Sequence, residues 1–329
     1  MVTSLQDMLA VYCESQSATD PLSGLVVGER PEPTPTQGWS VVTLRAATLN
    51  HHDLWSLQGV GLPADRLPMI LGCDGAGVDD DGNEVILHSV IASPGWSGDE
   101  TFDPKRSLFS EVHQGTLCER VLVPTANLVP KPADMGWATA AALPTAWLTA
   151  YRMLFTNGGV TPGGLVLVQG AGGGVATACI QLGAAAGLRV WVTSRDEEKR
   201  QRALDLGAEA AFESGARLPE KVDAVMETVG AATWSHSVNV LRPGGTIVTC
   251  GATSGDAPEK TELTKIFFRQ LRVIGSTMGN RQELALLSQF VQRHHLEPII
   301  DLEVPLSEAR RGFERLASGD LFGKIVLTN

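Results

Sequence analysis

The sequence predicts an α/β protein in which a doubly wound parallel sheet is set into a mainly β domain. Three observations predict it. The apolar run Leu165 to Val168 ends in a glycine cluster, Gly170-Ala171-Gly172-Gly173-Gly174, and a helical stretch of small residues follows from Val175 to Ala186. Strand-like and helix-like segments continue to alternate after it. The first 125 residues read differently, rich in Pro, Gly and short strand-like runs.

Taken in order, the runs Ser40 to Leu44, Val85 to Ile91 and Arg120 to Val123 suggest a compact β domain of barrel or sandwich type. Residues 94–107 form a polar loop, and a helical segment near 134–156 leads into the middle of the chain. There, Leu165 to Val168, Leu188 to Thr193, Val222 to Met226 and Thr246 to Cys250 are predicted strands, and residues 196–206 a helix. Arg242-Pro243-Gly244-Gly245 and Gly251-Ala252-Thr253-Ser254-Gly255 are turn signals. Strands alternating with helices imply βαβ units and a parallel sheet, whose ligands bind beyond the carboxyl ends of the strands. Leu271 to Ser276 is the last strand of this sheet, closed by the turn Thr277-Met278-Gly279. A helix (Arg281 to His294), a strand near Ile299 to Val304, a helix (Leu306 to Ser318) and a strand (Lys324 to Leu327) complete the chain.

Strand, glycine turn and helix are the context of a dinucleotide-binding fingerprint. Glycines allow a sharp turn and a close approach of backbone to a pyrophosphate. The helix that follows aims its free N–H groups and positive dipole end at the phosphates.

Composition narrows the function classes. A chain of 329 residues suggests two domains at ~150 residues each. The net charge of −11 argues against nucleic acid or an anionic membrane surface as partner. No apolar run reaches the ~18 residues of a membrane span. The stretch Met1 to Ala10 carries Asp7 and no basic cluster, unlike a signal peptide. Five cysteines at long spacings, with no Cys-x-x-Cys pair, suit reduced thiols in a cytoplasmic protein. Cys179 and Cys250 fall in apolar patterns and are expected to be buried.

Several motifs in a fixed order carry a resemblance. They are Leu49-Asn50-His51-His52-Asp53, Leu71-Gly72-Cys73-Asp74-Gly75-Ala76-Gly77, Gly115-Thr116-Leu117-Cys118-Glu119, Leu128-Val129-Pro130-Lys131-Pro132, Leu148-Thr149-Ala150-Tyr151, the glycine turn, Leu241-Arg242-Pro243-Gly244-Gly245 and Gly323-Lys324-Ile325-Val326-Leu327. In these the chain resembles, over nearly its whole length, the medium-chain dehydrogenase/reductase superfamily, which includes zinc-type alcohol dehydrogenases. In pattern it is similar to the zinc-free quinone-reductase-like members. The resemblance implies a Rossmann domain (129–274) inserted into a barrel-like, GroES-like catalytic domain (1–128), to which residues 275–329 return. Between Gly77 and Val85 the chain is shorter than most members, so part of a barrel hairpin is expected to be missing.

The resemblance also locates the zinc positions of the metal-dependent members. Asn50 stands at the first cysteine position, Cys73 at the histidine, with Asp74 beside it, and Pro144 or Thr145 near the third ligand. A catalytic zinc needs three strong protein ligands and one open position, so no metal is expected. The four-cysteine structural lobe, due near residues 90–110, has no cysteine there. His294-His295 are read as solvated helix residues, and Tyr151 as a helix core residue.

Expected cofactor contacts are Thr149, Gly170, Ala171, Gly172, Gly173, Gly174, Val175, Gly251, Ala252, Thr253 and Lys324. The second strand ends Thr193-Ser194-Arg195 with no acid to hold a ribose 2′-hydroxyl. Ser194, Arg195 and Lys199 suit a 2′-phosphate, so NADP(H) is the expected cofactor. Asp196, Glu197 and Glu198 fit an acidic first helical turn. By resemblance Asn50 orients substrate or ribose, His51 donates a hydrogen bond or proton, and Asp53 braces the pocket.

Without a Lewis acid, hydride transfer favours an activated double bond, quinone or carbonyl whose developing charge hydrogen bonds can hold. The alternatives are an alcohol/aldehyde dehydrogenase with an unusual metal site, or an NADPH-binding protein of little activity. The partner is a small-molecule substrate. The apolar edge strand near 271–278 is expected to pair with its two-fold mate in a homodimer.

Overall fold

A computed structural model describes residues 6–329; the Met1–Leu5 part of the amino-terminal reading lies outside the described residues. The chain divides into two units. One comprises the residues up to Thr145 together with Asn280–Asn329, and the other is Ala146–Gly279. Residues 129–145 therefore go with the first unit. Leu128–Pro130 pairs antiparallel with Glu84–Leu87, and the helix Trp137–Ala142 packs on the strands Trp39–Thr48 and Asp74–Asp79. Residues 275–279 go with the second unit, and Asn280 Nδ2 donates to Asp99 Oδ2 in the first.

The first unit is built on a sheet ordered Leu128–Pro130, Glu84–Leu87, Asp74–Asp79, Trp39–Thr48, Lys324–Thr328, Ile300–Pro305. The ten-residue strand Trp39–Thr48 organises it by changing partners along its length. Its first half pairs with Arg120–Pro124 and its second half with Lys324–Thr328, while Asp74–Asp79 runs along the other edge. Thr48 thus stands opposite both Asp74 and Val326. A second sheet joins Leu25–Pro31, Asp7–Cys13 and Met69–Ile70. One core cluster gathers Leu49, Leu57, Leu71, Phe313 and Leu327; another gathers Val42, Leu44, Leu87 and Phe109.

The missing stretch after Gly77 is a tight hairpin. Asp79 Oδ1 accepts from the N–H groups of Asp81 and Asn83 and closes the turn in place of a longer loop. The run Val85 to Ile91 is two short strands, Glu84–Leu87 and Val90–Ile91, with different partners. The loop 94–107 holds a helical turn, Glu100–Phe102, and ends in the strand Ser107–Leu108.

In the second unit six parallel strands lie in the order Ala210–Phe212, Arg189–Thr193, Leu165–Gln169, Val222–Glu227, Leu241–Thr249, Arg272–Gly275. This is the 3-2-1-4-5-6 order of a dinucleotide fold, whose strand order reverses beside the first strand. Its core holds Leu165, Leu167, Val225, Val238 and Ile247. Arg242-Pro243-Gly244-Gly245, expected as a turn, lies inside the Leu241–Thr249 strand. A register shift and Gly244 at φ 75° absorb it there. The helical segment expected near 134–156 begins at Trp137, and the helix Trp137–Ala142 passes into π-helical turns at Leu143–Trp147 and Arg152–Asn157.

All five cysteines are free; Cys179 is buried, whereas Cys250 is half-buried, contrary to expectation, because its strand ends one residue earlier. His294 and His295 are exposed. No helix among the described residues is long and apolar enough to cross a membrane.

Candidate active site

In the first unit, the strand Trp39–Thr48 turns at Leu49-Asn50 into the helix His51–Leu57, and a buried polar cluster forms around that turn. Asp74 is fully buried. Its Oδ2 accepts from Thr48 Oγ1 at 2.7 Å, Asn50 Nδ2 at 2.8 Å and Lys324 Nζ at 3.3 Å. Lys324, also buried, donates at 2.7 Å to both Leu49 O and Asn50 Oδ1. Its three N–H bonds are thus directed to acceptors inside this unit, where the sequence reading had assigned it to the cofactor. The cause is register: Lys324 lies two residues before Val326, the partner of Thr48.

Asn50 is held by both charges, so its amide has one orientation, carbonyl to Lys324 and NH2 to Asp74. Asp53 uses both oxygens on backbone. Oδ2 accepts from Asn50 N–H at 2.8 Å, and Oδ1 from Gly72 N–H at 2.9 Å. Burial pushes its carboxyl up to about 6. Asp53 therefore ties the helix start to the Leu71–Cys73 segment. Gly72 is required there: it adopts φ 99°, and a Cβ would lie 2.6 Å from Thr116 Oγ1.

The two adjacent histidines differ. His51 is exposed, its ring 6.2 Å from that of Trp55. Its surroundings and the Lys324 charge hold it below the usual imidazole value. His52, which the sequence suggests only as a candidate member of an unusual metal site with His51, Asp53, Cys73 and Asp74, turns inward. Its Nε2 meets Glu111 Oε1 at 2.8 Å, and its Nδ1 faces Ser110 Oγ at 3.4 Å and Cys73 Sγ at 3.5 Å. The Cys73 sulfur, then hydrogen bonds to Cys73 and Glu111, raise His52 above its ordinary value. Burial drives the Cys73 thiol upward in turn.

These residues do not suit a catalytic zinc. Asn50 is an amide, Asp74 Oδ2 already faces an ammonium, and Thr145 is a hydroxyl. Among the described residues no three His, Cys, Asp or Glu side chains converge as ligands. A divalent ion here would sit against Lys324 with at most one thiolate in its set.

In the second unit the expected cofactor residues gather at the carboxyl ends of the strands. Gly170 leaves Leu165–Gln169 at φ 84°, and Gly173 caps the helix Gly174–Ala185 with no side-chain hydrogen bond to its first turn. A Cβ on Gly173 would meet no atom within 4 Å. Open space, free N–H groups and the dipole end suit a pyrophosphate. Ala171 is buried, while Gly172, Gly174 and Val175 are half-buried along the same turn. Ser194 and the exposed Arg195 follow the second strand, and Lys199 lies in the first turn of the helix Glu197–Asp205. Arg200 Nη1 donates to Ser194 O at 2.7 Å and steadies that strand end. Gly251, Ala252 and Thr253 form a loop tied to the 228–231 turn, where Ser254 N donates to Val229 O at 2.8 Å. Thr149 is buried in the Leu148–Tyr151 helical stretch.

Beneath them lies a network with no signal in the sequence reading. Gln169 Oε1 accepts from Thr193 Oγ1 at 2.5 Å, and its Nε2 reaches Ser237 Oγ at 2.9 Å and His236 Nδ1 at 2.9 Å. The fully buried Glu227 accepts from Val229 N, Gly230 N and Thr233 Oγ1 through Oε1, and from Ser237 Oγ through Oε2.

Residues 174–293 match a family described as zinc-binding dehydrogenase. Over 92% of its length the chain is 30% identical to the zinc-type alcohol dehydrogenase-like protein YogA of Leptosphaeria maculans, covering 93% of that protein. It is 27% identical to an acryloyl-coenzyme A reductase of Sulfurisphaera tokodaii, over 93% of the chain and 97% of that enzyme. A solved NAD-dependent alcohol dehydrogenase superposes with a TM-score of 0.90 at 32% identity, covering 98% of this chain and all of that one.

Replacing Lys324 by Met leaves Asp74 buried without its counter-charge and is expected to cost about 3–5 kcal/mol in urea unfolding. The double variant Lys324→Met/Asp74→Asn should recover most of the loss. Additive effects in that double-mutant cycle would contradict the pairing.

Proposed function

The chain belongs to the medium-chain dehydrogenase/reductase superfamily, as an oxidoreductase of a fold that binds nicotinamide cofactors, and on that footing we propose that it is an NADPH-dependent reductase working without a metal. Its substrate is a small molecule with an activated double bond, a quinone or a carbonyl. The observation that carries the reading is the Asp74–Lys324–Asn50 cluster, in which a buried ammonium and an amide stand among the family's zinc positions. A bound reduced nicotinamide supplies hydride to an electron-poor carbon. The chain's own residues bind, orient and shield it. The likeness to an acryloyl-coenzyme A reductase supports a conjugated acceptor, because a conjugated system carries its own electron sink and needs only hydrogen bonds to hold the developing charge.

A second reading, an alcohol/aldehyde oxidoreductase, is favoured by the 32% identity to an NAD-dependent alcohol dehydrogenase. An NADPH-oxidation screen over enones, quinones and aldehydes, with and without chelator, separates the two. The reductase reading expects turnover with enones or quinones that survives chelation, and no stoichiometric zinc by elemental analysis. Turnover of alcohols alone, lost on chelation, would overturn it.

The choice of NADPH rests on Ser194, Arg195 and Lys199 beside a strand end that lacks an acid. NADPH should bind more tightly than NADH, and Arg195→Ala/Lys199→Ala should weaken NADPH selectively by about 1–3 kcal/mol in calorimetric titration. Equal affinities in the native chain would sink the assignment. We place the protein in the cytoplasm, where its free thiols stay reduced.

The same reading makes the chain a homodimer through the edge strand Arg272–Gly275. Val273 on that strand is exposed, and Leu263, Phe267 and Phe268 of the neighbouring helix Leu263–Phe268 are 68–80% exposed. An apolar edge of this kind calls for cover, and a two-fold mate supplies it. Sedimentation at micromolar concentration should give a dimer of about twice the 34.9 kDa chain mass. A monomer there would refute the assembly.

A further inference from the structure

The network beneath the glycine turn has a member that changes charge near neutral pH. We propose that this member, His236, is a positioning residue of the cofactor site, and that its protonation rewires the hydrogen bonds fixing the strand ends there. The proposal rests on the reading of the second unit as a nicotinamide site. Gln169, Thr193, Ser237 and Glu227 are fully buried and His236 is half-buried, all within that one unit.

The partners of the ring fix its protons. Ala216 O can only accept, so the hydrogen of His236 stands on Nε2, 2.9 Å away. The NH2 of Gln169 can only donate, so Nδ1, also at 2.9 Å, is a bare acceptor. Gln169 Oε1 takes the Thr193 hydroxyl, and its second N–H goes to Ser237 Oγ. Ser237 passes its own hydrogen to Glu227 Oε2 at 2.6 Å. Each hydrogen has one acceptor only while the imidazole is neutral. Both partners of the ring are uncharged. The charged groups on the elements around this helix are engaged elsewhere: Glu262 with Ser235, Lys265 and Lys221 with Asn239, and Arg269 with the Val238 and Asn239 carbonyls. Glu213 and Arg217 belong to the turn that supplies Ala216 O, and Glu227 reaches the ring only through Ser237 and Gln169.

A proton on Nδ1 sets two donors face to face, the new N–H and the NH2 of Gln169. A half-turn of the amide relieves the clash by bringing Oε1 to the imidazolium. Nε2 then meets Thr193 Oγ1, and that hydroxyl accepts where it had donated. Oε1 also meets Ser237, whose single hydrogen cannot serve both Gln169 and Glu227. The change therefore reaches Glu227, which holds Val229 N and Gly230 N. Val229 Cγ2 lies 3.5 Å from where a Cβ on Gly170 would stand, at the opening of the glycine turn. Thr193 immediately precedes Ser194 and Arg195. One proton is thus felt at three strand ends. The neutral ring goes with the satisfied arrangement, so cofactor binding weakens as pH falls through the range where histidine titrates, about pH 5–8.

The test is calorimetric titration of the full chain with NADP⁺ at about pH 8 and about pH 5.5. His236→Asn puts an amide oxygen where Nδ1 stands and cannot titrate. Between the two pH values the dissociation constant of the native chain should rise about 3–10-fold more than that of His236→Asn, because only the neutral fraction of the ring supports the binding arrangement. The 2′-phosphate and the other histidines titrate alike in both chains and drop out of that ratio. A second readout needs no variant: heteronuclear NMR of the native ring at about pH 8 should show the proton on Nε2. A proton on Nδ1 there, or equal pH dependence in the two chains, overturns the proposal and leaves the nicotinamide reading standing. Weak binding by His236→Asn at both pH values, with a native unfolding midpoint, does the same. No binding of NADP⁺ or NAD⁺ by the native chain at either pH overturns the nicotinamide reading and the proposal with it.

Discussion

The first unit depends on one buried ion pair. Lys324 begins the last strand, Asp74 begins an inner strand, and Asn50 caps the helix between them; each would be costly to bury alone. Together they satisfy one another, apart from Asp74 Oδ1, which has no partner among the described residues. The pair is a registration device, because Lys324 reaches Asp74 only if Thr48 lies opposite both Asp74 and Val326. A shift of one residue in either ladder would turn an ionised side chain toward apolar core. The chain thus returns to its first domain in one register, and that register also sets the amide of Asn50.

The second unit solves its positioning problem with neutral and helix-end chemistry. Its glycine turn must stay open, so it cannot be stiffened from above. Gln169 stiffens it from below, tying the end of the first strand to Thr193 on the second and to Ser237 on the helix Ala231–Val240. Glu227 then collects the free N–H groups at the start of that helix, where a negative charge is favoured by the dipole. A fully satisfied buried network of this kind specifies one geometry. The strand ends that would hold a dinucleotide are therefore fixed by residues that need not touch it.

Much of the fold was legible because it rests on local rules. The glycine turn, the apolar strands and the capped helix Arg281–Arg293 each declare themselves within a dozen residues. What stayed hidden was non-local or locally misleading. Ala210–Phe212 is too short to show a period, and Pro243-Gly244-Gly245 imitates a turn inside a strand. Asn50, His51 and Asp53 could be picked out by motif, but the bond from the Gly72 N–H to Asp53, 19 residues away in sequence, could not. The pairing of His52 was hidden because its partner Glu111 is 59 residues distant. The bond from Lys324 to Asp74 was hidden because the two are 250 residues apart. No pattern at those separations is visible in a single chain.

The charge arrangement also limits the chemistry that the first unit can support. An alcohol gives up hydride readily only when its hydroxyl is deprotonated, and a divalent metal achieves that by lowering the hydroxyl pKa by several units. The Lys324 ammonium does not provide the same help, since its three hydrogens are held by Leu49, Asn50 and Asp74. Burial first, and then the Lys324 charge, lower the affinity of His51 for a proton. The reductase reading proposed above fits this arrangement, because a conjugated substrate brings its own electron sink. On that reading the protein's task reduces to orientation and to hydrogen bonds that hold the developing charge. On this argument the internal ion pair at these positions and the choice of a conjugated acceptor go together, because an ammonium whose hydrogens are already engaged cannot stand in for a Lewis acid.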